Sequence, residues 1–337
     1  MIRGLAVAFF ACHVALVASQ TTWRAPTPRG LDPYLPIPAD NPQTEGKIAL
    51  GRRLFFDRQL SADGSMSCAT CHDPARGFAD SQPVAVGIRG RRGVRNAPSL
   101  INRGYGETFF WDGRAATLEA QVVQPIDNPD ELGSSVAAVV TKLGRDRTYA
   151  TEFRQIFGRP VTRADLARAL ASYVRTIQSG DAPFDRYESG EPAALTAQER
   201  LGLRVFRGRG LCTSCHFGPT LSDERFHNTG VAWNGRAFTD EGRAAVTKNA
   251  RDRGAFKTPS LRDVARTAPY MHNGSLARLE DVVAFYSEGG RANPSIDSDL
   301  LPRRLTPIEQ SALVAFLRSL SGVVTEGVTG KRGSGPY

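Results

Sequence analysis

Two five-residue stretches of this 337-residue chain combine the residue types that hold a redox cofactor. Cys68, Cys71 and His72 form one, and Cys212, Cys215 and His216 form the other. Each reads Cys-x-x-Cys-His, the spacing at which two thiols add to the vinyl groups of haem and the adjacent histidine ligates the iron. The alternative is one zinc ion held by four thiolates, but the pairs are roughly 140 residues apart, far beyond zinc-ribbon spacing. The sequence therefore predicts two covalently bound c-type haems, haem 1 at the first motif and haem 2 at the second.

The first residues have the pattern of an export signal. Arg3 precedes an apolar stretch at residues 5–17, which is followed by small residues. We expect residues 1–19 to be a cleaved signal peptide, with an uncleaved anchor or a lipidated Cys12 as alternatives. Export agrees with the haem prediction, because c-type haem is attached outside the cytoplasm, and it indicates the periplasm.

The basic residues give no indication of nucleic-acid binding. The chain has 43 Lys and Arg against 34 Asp and Glu, a net charge of +9, but the arginines are scattered among acidic residues and form no long run. A basic face that docks an acidic electron carrier or protein substrate is one interpretation. An ordinary solvated surface is the simpler interpretation, and we prefer it.

The rest of the sequence predicts a mainly α fold of two cytochrome c-like domains, each around one covalent haem, with long loops. Strand patterns are few, whereas helical patterns begin near Gly46, Thr162, Thr196 and Thr306, the last running to Leu320. The predicted order is the signal peptide at 1–19, an extended arm at 20–44, an N-terminal haem domain at 45–187, a C-terminal haem domain at 188–322 and a disordered tail at 323–337. Residues 181–193 have the composition of the linker between the domains.

The two halves repeat each other. Pro-Ser-Leu at residues 98–100 recurs at residues 259–261, and the same shift along the chain aligns Gly113 with Gly274 and Val122 with Val283. A constant shift without gaps favours duplication of one haem-binding unit over chance matching.

The repeat also indicates which iron is open. At the same shift Tyr286 falls opposite Pro125, and a tyrosine phenolate can ligate haem iron whereas proline cannot. Haem 2 would then be capped, and haem 1 would be open to peroxide. Met271 is the competing sixth ligand for haem 2, and either residue could simply pack in the core. The other two histidines after residue 19, His227 and His272, are expected to be hydrogen-bonded structural residues.

At this point the chain resembles the bacterial di-haem cytochrome c peroxidases and their relatives of the MauG type. The resemblance spans essentially the whole chain after the signal peptide. The matching stretches are residues 96–100 (NAPSL), 110–114 (FWDGR), 128–132 (NPDEL), 184–187 (FDRY), 257–261 (KTPSL) and 269–274 (PYMHNG). Several such motifs in order, together with both haem motifs, make the match specific.

The resemblance implies roles for individual residues. Trp111 matches the tryptophan between the haems, Glu131 matches the glutamate over haem 1, and Gln121 and Pro125 match other residues of that open face. It further implies a calcium ion between the domains. Its ligands would be the Asn96 side chain and the carbonyl oxygens of Thr267 and Pro269, and oxygen ligands suit calcium.

Three positions distinguish this chain within the family. The position of Tyr286 holds a methionine in the typical peroxidases and a tyrosine in the MauG type. The loop at residues 86–90, which in many peroxidases supplies a histidine to haem 1, has none here. The tryptophan that the MauG type uses for transfer to its protein substrate falls at Gly210, so this chain lacks it.

These features favour a periplasmic di-haem peroxidase that reduces hydrogen peroxide at haem 1, with haem 2 sharing or relaying electrons. The electron donor would be a small periplasmic protein, a cytochrome c or a copper protein, and a homodimer is the assembly considered. One alternative is a MauG-like oxidase that modifies residues of a partner protein. The other is a di-haem electron-transfer cytochrome without enzymatic activity, which would have two capped irons and no acid–base residue such as Glu131.

Overall fold

Helices dominate the regular structure, and the sheets are small. The computed structural model of the protein describes residues 21–329 and 331–332, so the predicted signal peptide, Cys12 and the last residues of the predicted tail lie outside the described residues. The helical content confirms the prediction of a mainly α fold. In the described part of the chain, no helix has the length and apolar character needed to cross a membrane.

The regular elements follow one another with long loops between them. The helices are α1 (Glu45–Phe56), α2 (Cys68–Cys71), α3 (Leu118–Gln121), α4 (Gln124–Asp127), α5 (Val136–Arg145), α6 (Arg147–Phe157), α7 (Arg163–Val174), α8 (Pro183–Glu188), α9 (Ala197–Arg207), α10 (Ala244–Thr247), α11 (Leu279–Ser287) and α12 (Pro307–Arg318). The strands are β1 (Gln178–Gly180), β2 (Phe226–His227), β3 (Phe256–Lys257), β4 (Val323–Glu326) and β5 (Lys331–Arg332). All pairings are antiparallel, in the orders β1-β4-β5 and β2-β3.

Threonine caps begin the main helices where the sequence predicts them. The Oγ1 atom of Thr162 accepts a hydrogen bond from the backbone N–H of Asp165, and Thr196 and Thr306 cap α9 and α12 in the same way. Each cap satisfies a backbone N–H that the first turn of a helix leaves without a partner. The last helix ends at Arg318, slightly before the predicted end at Leu320.

Each half is built on two helices that cross at a glycine. In the first half α1 crosses α7 at Gly51, where a Cβ atom would lie 1.9 Å from the carbonyl oxygen of Ala169. In the second half α9 crosses α12 at Gly202, at the same 1.9 Å from the oxygen of Ala312. Only glycine permits backbones to approach so closely. Each crossing lies within its own apolar core.

The internal repeat is visible in the backbone. Phe110 and Met271, which the shift between the halves aligns, are both left-handed, with φ of 65° and 72°. An isolated antiparallel bridge follows the same shift, joining Phe109 to Ala115 in one half and Tyr270 to Leu276 in the other. Residues other than glycine rarely adopt a positive φ. The recurrence of a positive φ at equivalent positions therefore supports duplication of one folding unit.

The arm at residues 21–44 contains no helix, and it contacts both halves. Trp23 and Leu35 pack with Ile48 of α1. Further along, the carbonyl oxygen of Gly30 accepts a 2.7 Å hydrogen bond from Arg262, whose guanidinium also pairs with Asp185 at 2.5 Å in the interior. The arm therefore ties the first half to the second.

One sequence prediction needs correction. The predicted disordered tail is wrong at its start, because residues 323–326 form β4 and pair with β1. Two consecutive valines suit a strand, and β1 supplies the backbone partner that the sequence could not reveal. The segment predicted as a linker, 181–193, contains α8, and Phe184 and Asp185 of this helix are buried.

Candidate active site between the two halves

Both Cys-x-x-Cys-His motifs open into one cavity of about 700 Å³ between the halves. Cys71 and His72 line it from the first half, and Cys212, Cys215 and His216 line it from the second. Cys68 lines a smaller adjoining cavity that shares Cys71 and His72 with the large one. The structure thus brings together all six residues that the sequence assigned to haem attachment.

One helical turn assembles each motif. The backbone N–H of His72 donates to the carbonyl oxygen of Cys68 at 3.0 Å, and that of His216 donates to Cys212 at 2.9 Å. The two imidazoles are also held alike. Nδ1 of His72 lies 3.2 Å from the carbonyl oxygen of Phe78, and Nδ1 of His216 lies 2.9 Å from that of Leu221. When Nδ1 donates to a carbonyl, Nε2 is left as the metal-binding nitrogen.

The protonation state and bonding of these groups fit haem. Burial lowers the pKa of His72 to about 4, so its imidazole is neutral, the form that ligates iron. None of the four motif cysteines forms a disulfide, and burial raises the pKa of the Cys68 and Cys71 thiols to about 12. Burial also lowers the pKa of His216. The groups that would bond to haem are therefore two neutral imidazoles and four unbridged thiols around a cavity with mostly apolar walls.

The first-half motif faces a carboxyl group. Glu131 lines both cavities with His72, and Gln121 and Pro125 line them beside it. Burial raises the pKa of Glu131, although a hydrogen bond from Asn128 and the charge of Arg114 oppose the shift. The sequence-predicted residues of the open face therefore share one wall.

A tight turn fixes Glu131. Nδ2 of Asn128 donates to the Glu131 carboxylate at 2.7 Å, and the backbone N–H of Glu131 donates to the Asn128 carbonyl oxygen at 3.1 Å. The loop at residues 86–90 lies directly against this turn. The backbone N–H of Ile88 donates to the carbonyl oxygen of Glu131, and a Cβ atom at Gly87 would lie 2.2 Å from the carbonyl oxygen of Asp130. The loop that lacks histidine therefore packs beside the turn that carries Glu131.

Proline and tyrosine shape the equivalent walls differently. α11 is a continuous helix that presents Val282 and Tyr286 to the cavity. In the first half the corresponding segment divides into α3 and α4, and Pro125 lies in the first turn of α4. Proline lacks a backbone N–H and disfavours a helix through its own position. Proline in place of tyrosine at this position thus interrupts the helix and removes a side chain that could reach an iron.

Both candidates for the sixth ligand of haem 2 line the cavity. Burial raises the pKa of Tyr286, and the neighbouring thiols of Cys215 and Cys212 add to the shift, which places the phenol beside the second motif. Met271 lies in the turn equivalent to Phe110. Tyr286 is therefore on the wall equivalent to the one that carries Pro125, whereas Met271 is not.

Trp111 connects the halves at the cavity wall. Its indole Nε1 donates to the carbonyl oxygen of Asn96 at 2.9 Å, and its own carbonyl oxygen accepts from the backbone N–H of Lys257 in β3 at 2.8 Å. Asn96, Thr267 and Pro269, the residues implied for calcium, line the same cavity. Nδ2 of Asn96 donates to the carbonyl oxygen of Gln82 at 2.8 Å, which leaves its amide oxygen for a cation.

The histidines outside the motifs have different surroundings. His227 fits the expectation, with Nδ1 2.6 Å from Asp297 and Nε2 3.0 Å from Asp223. His272 does not fit it: within residues 21–329 its imidazole makes no hydrogen bond. Instead it stacks on Phe256 with 3.6 Å between ring centroids and an angle of 10° between the planes.

Sequence reasoning missed the partly buried ion pairs that join the halves. Arg103 donates to Glu224, which also accepts from Lys257 at 3.3 Å. Arg95 forms a two-point ion pair with Asp240. The partners of these arginines lie 121 and 145 residues away along the chain, so no local pattern could have paired them.

Known proteins share this architecture. The model of the di-haem cytochrome c peroxidase family matches residues 45–193. The methylamine utilization protein MauG of Methylorubrum extorquens is 42% identical over 290 residues, which cover 85% of this chain and 81% of that protein. The cytochrome-c peroxidase IdrP1 of Denitromonas iodatirespirans is 37% identical over 351 residues, covering 95% and 93%. The crystal structure of a MauG-like protein associated with microbial copper homeostasis superposes with a TM-score of 0.79 at 33% identity, covering 93% of this chain and 96% of that one.

The fold and the paired motifs define a di-haem redox protein. The chain belongs to the di-haem cytochrome c peroxidase family, and it is accordingly an oxidoreductase with two haems. The resemblance noted from the sequence is confirmed, as is the prediction of an enzyme.

Proposed function

We propose that the protein reduces hydrogen peroxide at haem 1 and receives the electrons through haem 2. The observation that supports this most strongly is the asymmetry of the two walls: Glu131 and Pro125 face the first motif, and Tyr286 faces the second. An electron carrier would need no buried carboxyl over one site. The overall reaction consumes one peroxide, two electrons and two protons and forms two waters.

The residues over haem 1 would divide the chemistry as follows. Haem, when bound, supplies the site for peroxide and exchanges the electrons. Glu131 takes a proton from one peroxide oxygen and delivers it to the other, so that this oxygen leaves as water when the O–O bond breaks. The hydrogen bond from Asn128 aims the carboxylate. Pro125 leaves room for peroxide, and Gln121 provides a polar neighbour on the same wall.

The haems would be held covalently, through Cys68 and Cys71 with His72 as ligand, and through Cys212 and Cys215 with His216. Tyr286 would be the second ligand of haem 2, with Met271 as the alternative. Trp111 would relay electrons between the haems, because it lies on the shared cavity wall and bonds to both halves. Calcium would bind Asn96, Thr267 and Pro269 near this junction.

The setting of the reaction follows from the sequence prediction. Residues 1–19 would direct export to the periplasm, where peroxide and a small electron-donor protein, a cytochrome c or a copper protein, would meet the enzyme. The domains would be 45–187 and 188–322, each around one haem, and the assembly considered is a homodimer.

A second candidate is an oxidase that modifies residues of a partner protein. Tyr286 favours it, because the MauG type has tyrosine at this position. Gly210, which stands where that type has its exit tryptophan, counts against it.

Ligand binding and turnover together test the proposal. We expect azide to bind one of the two haems of the oxidised protein, and peroxide consumption to require an added reductant such as a small cytochrome c. Azide binding to neither haem, with no peroxide consumption, would identify an electron-transfer cytochrome instead. Steady modification of an added partner protein without consumption of the small donor would favour the second candidate.

A further inference from the structure

Trp111 has a counterpart in the second half. The constant shift that relates the halves places His272 at its position, and the residues before them, Phe110 and Met271, share the left-handed backbone. His272 is only 4% exposed and lines the same cavity. The junction therefore has two equivalent positions, one filled by an indole and the other by an imidazole.

Reciprocal hydrogen bonds join these positions across the halves. The backbone N–H of Asn96 donates to the carbonyl oxygen of His272 at 2.7 Å, and that of Lys257 donates to the carbonyl oxygen of Trp111 at 2.8 Å. Asn96 and Lys257 are themselves equivalent under the shift. Each half thus fixes the backbone of the other half's central residue.

The contacts close into a ring, which we call the junction ring and define by Trp111, Asn96, His272, Phe256 and Lys257. The Trp111 indole donates to Asn96, and Asn96 donates to His272. The His272 imidazole stacks on Phe256, which precedes Lys257, and Lys257 donates back to Trp111. The stack is the only link of the ring that is neither a hydrogen bond nor a peptide bond.

An arginine held by two ion pairs lies next to the stack. The guanidinium of Arg95 lies over the Phe256 ring at 5.4 Å, and it pairs with Asp112 at 2.6 Å and Asp240 at 2.7 Å. In the chain, Arg95 directly precedes Asn96, and Asp112 directly follows Trp111. The face of Phe256 is thus fixed relative to Trp111.

We propose that the His272–Phe256 stack is the positioning element for Trp111 and thereby governs electron transfer between the haem sites. The inference rests on the relay role given to Trp111 above. The imidazole and phenyl rings act through Trp111, since both of its anchors, Asn96 and Lys257, are held by the stacked residues. Small displacements of a reacting group reduce rates steeply, so loss of the stack should slow transfer without removing either haem.

The test measures how fast one electron redistributes between the haems after pulse radiolysis of the oxidised two-haem protein. We expect His272→Leu to slow redistribution by about tenfold or more, with unchanged haem spectra and two haems by pyridine haemochrome assay. His272→Phe keeps a flat ring on Phe256 and should restore the rate to within about twofold. Phe256→Leu should reproduce the slow phase, and combining it with His272→Leu should add little, because both remove one contact.

Phe238→Leu is the matched control. It removes an aromatic contact of the same half, the one with Trp233, outside the junction ring, and it should leave the rate unchanged. A wild-type rate in His272→Leu contradicts the proposal. So does a His272→Phe protein as slow as His272→Leu, which would mean that the imidazole nitrogens act rather than the stack.

Two further measurements separate this proposal from the relay itself. If Trp111→Phe transfers at the wild-type rate, the relay role is wrong. Positioning is then judged by ultraviolet resonance Raman bands of the indole N–H, assigned to Trp111 by their loss in Trp111→Phe. They should shift in His272→Leu and not in Phe238→Leu. Unshifted bands refute positioning whatever the role of Trp111.

Discussion

Replacing Glu131 by glutamine removes the proposed proton carrier with little change of shape. The glutamine oxygen can still accept the 2.7 Å hydrogen bond from Asn128, so the side chain should keep its direction. A positioned acid–base group contributes roughly 100- to 10,000-fold to a rate, which corresponds to about 3 to 5 kcal/mol of activation free energy. We therefore expect peroxide to bind nearly as in the wild type and O–O cleavage to slow by that factor in stopped-flow measurements.

The pH dependence gives a second readout. Burial raises the pKa of Glu131, and the residue must be ionised to accept a proton. The wild-type rate should therefore fall as the pH drops through this raised pKa, and Glu131→Gln should lose that dependence. The free energy of unfolding should change in the opposite direction. Because the pKa of Glu131 is raised in the folded state, ionising this carboxyl as the pH rises destabilises the wild-type protein. Glu131→Gln should therefore be more stable than the wild type at neutral pH and equally stable in acid.

Asp130→Asn is the matched control, because this neighbouring carboxylate is exposed and lies 3.8 Å from Arg91. It should not change the rate of cleavage at neutral pH. Because the Asp130 charge is a minor cause of the raised pKa of Glu131, the pH profile should keep its shape and move slightly to lower pH. If Glu131→Gln cleaves peroxide at the wild-type rate, or if Asp130→Asn is slowed as much, the assignment of the proton shuttle is refuted.

Three further predictions concern the cofactors and the fold. Cys71→Ala should lose one haem of two by pyridine haemochrome assay; retention of two covalent haems after denaturation would contradict the attachment site. Tyr286→Phe should alter the low-spin signal of haem 2 in electron paramagnetic resonance, whereas Met271→Leu should change only packing, at a cost below about 1.5 kcal/mol; a methionine-type near-infrared band that only Met271→Leu removes would reverse the assignment. Gly202→Ala should lower the free energy of unfolding by about 1–3 kcal/mol or more in denaturant titrations, since its Cβ would lie 1.9 Å from a carbonyl oxygen, whereas Gly144→Ala in α5, with only an ordinary 3.6 Å contact, should not.

Local patterns predicted the features that depend on local chemistry. The helix starts at Thr162, Thr196 and Thr306 were readable because a capping side chain bonds to a backbone group only three positions further along the chain. The haem motifs were readable for the same reason, since one helical turn brings both thiols and the histidine together. The constant shift between the halves was readable because duplication preserves order along the chain.

Contacts between distant segments could not be read in this way. The tail was expected to be disordered, yet β4 pairs with β1, which lies far earlier in the chain, before the whole second half. A strand edge attracts whatever segment the fold brings beside it, and the sequence does not show which segment that is. His272 was expected to form a hydrogen bond, but it stacks on Phe256, and nothing in the spacing of the two residues predicts parallel rings.

The sequence by itself determined the cofactor type, the helical fold class, the duplication and the residue types on the two walls. The tertiary structure decided that both motifs share one cavity, that Glu131 faces the first and Tyr286 faces the second, and that Trp111 is held by both halves. The physical reason is the distance along the chain between the residues that interact. Caps, turns and thiol spacings are fixed by a few consecutive residues, whereas a cavity wall is made of segments that meet only when the two cores pack.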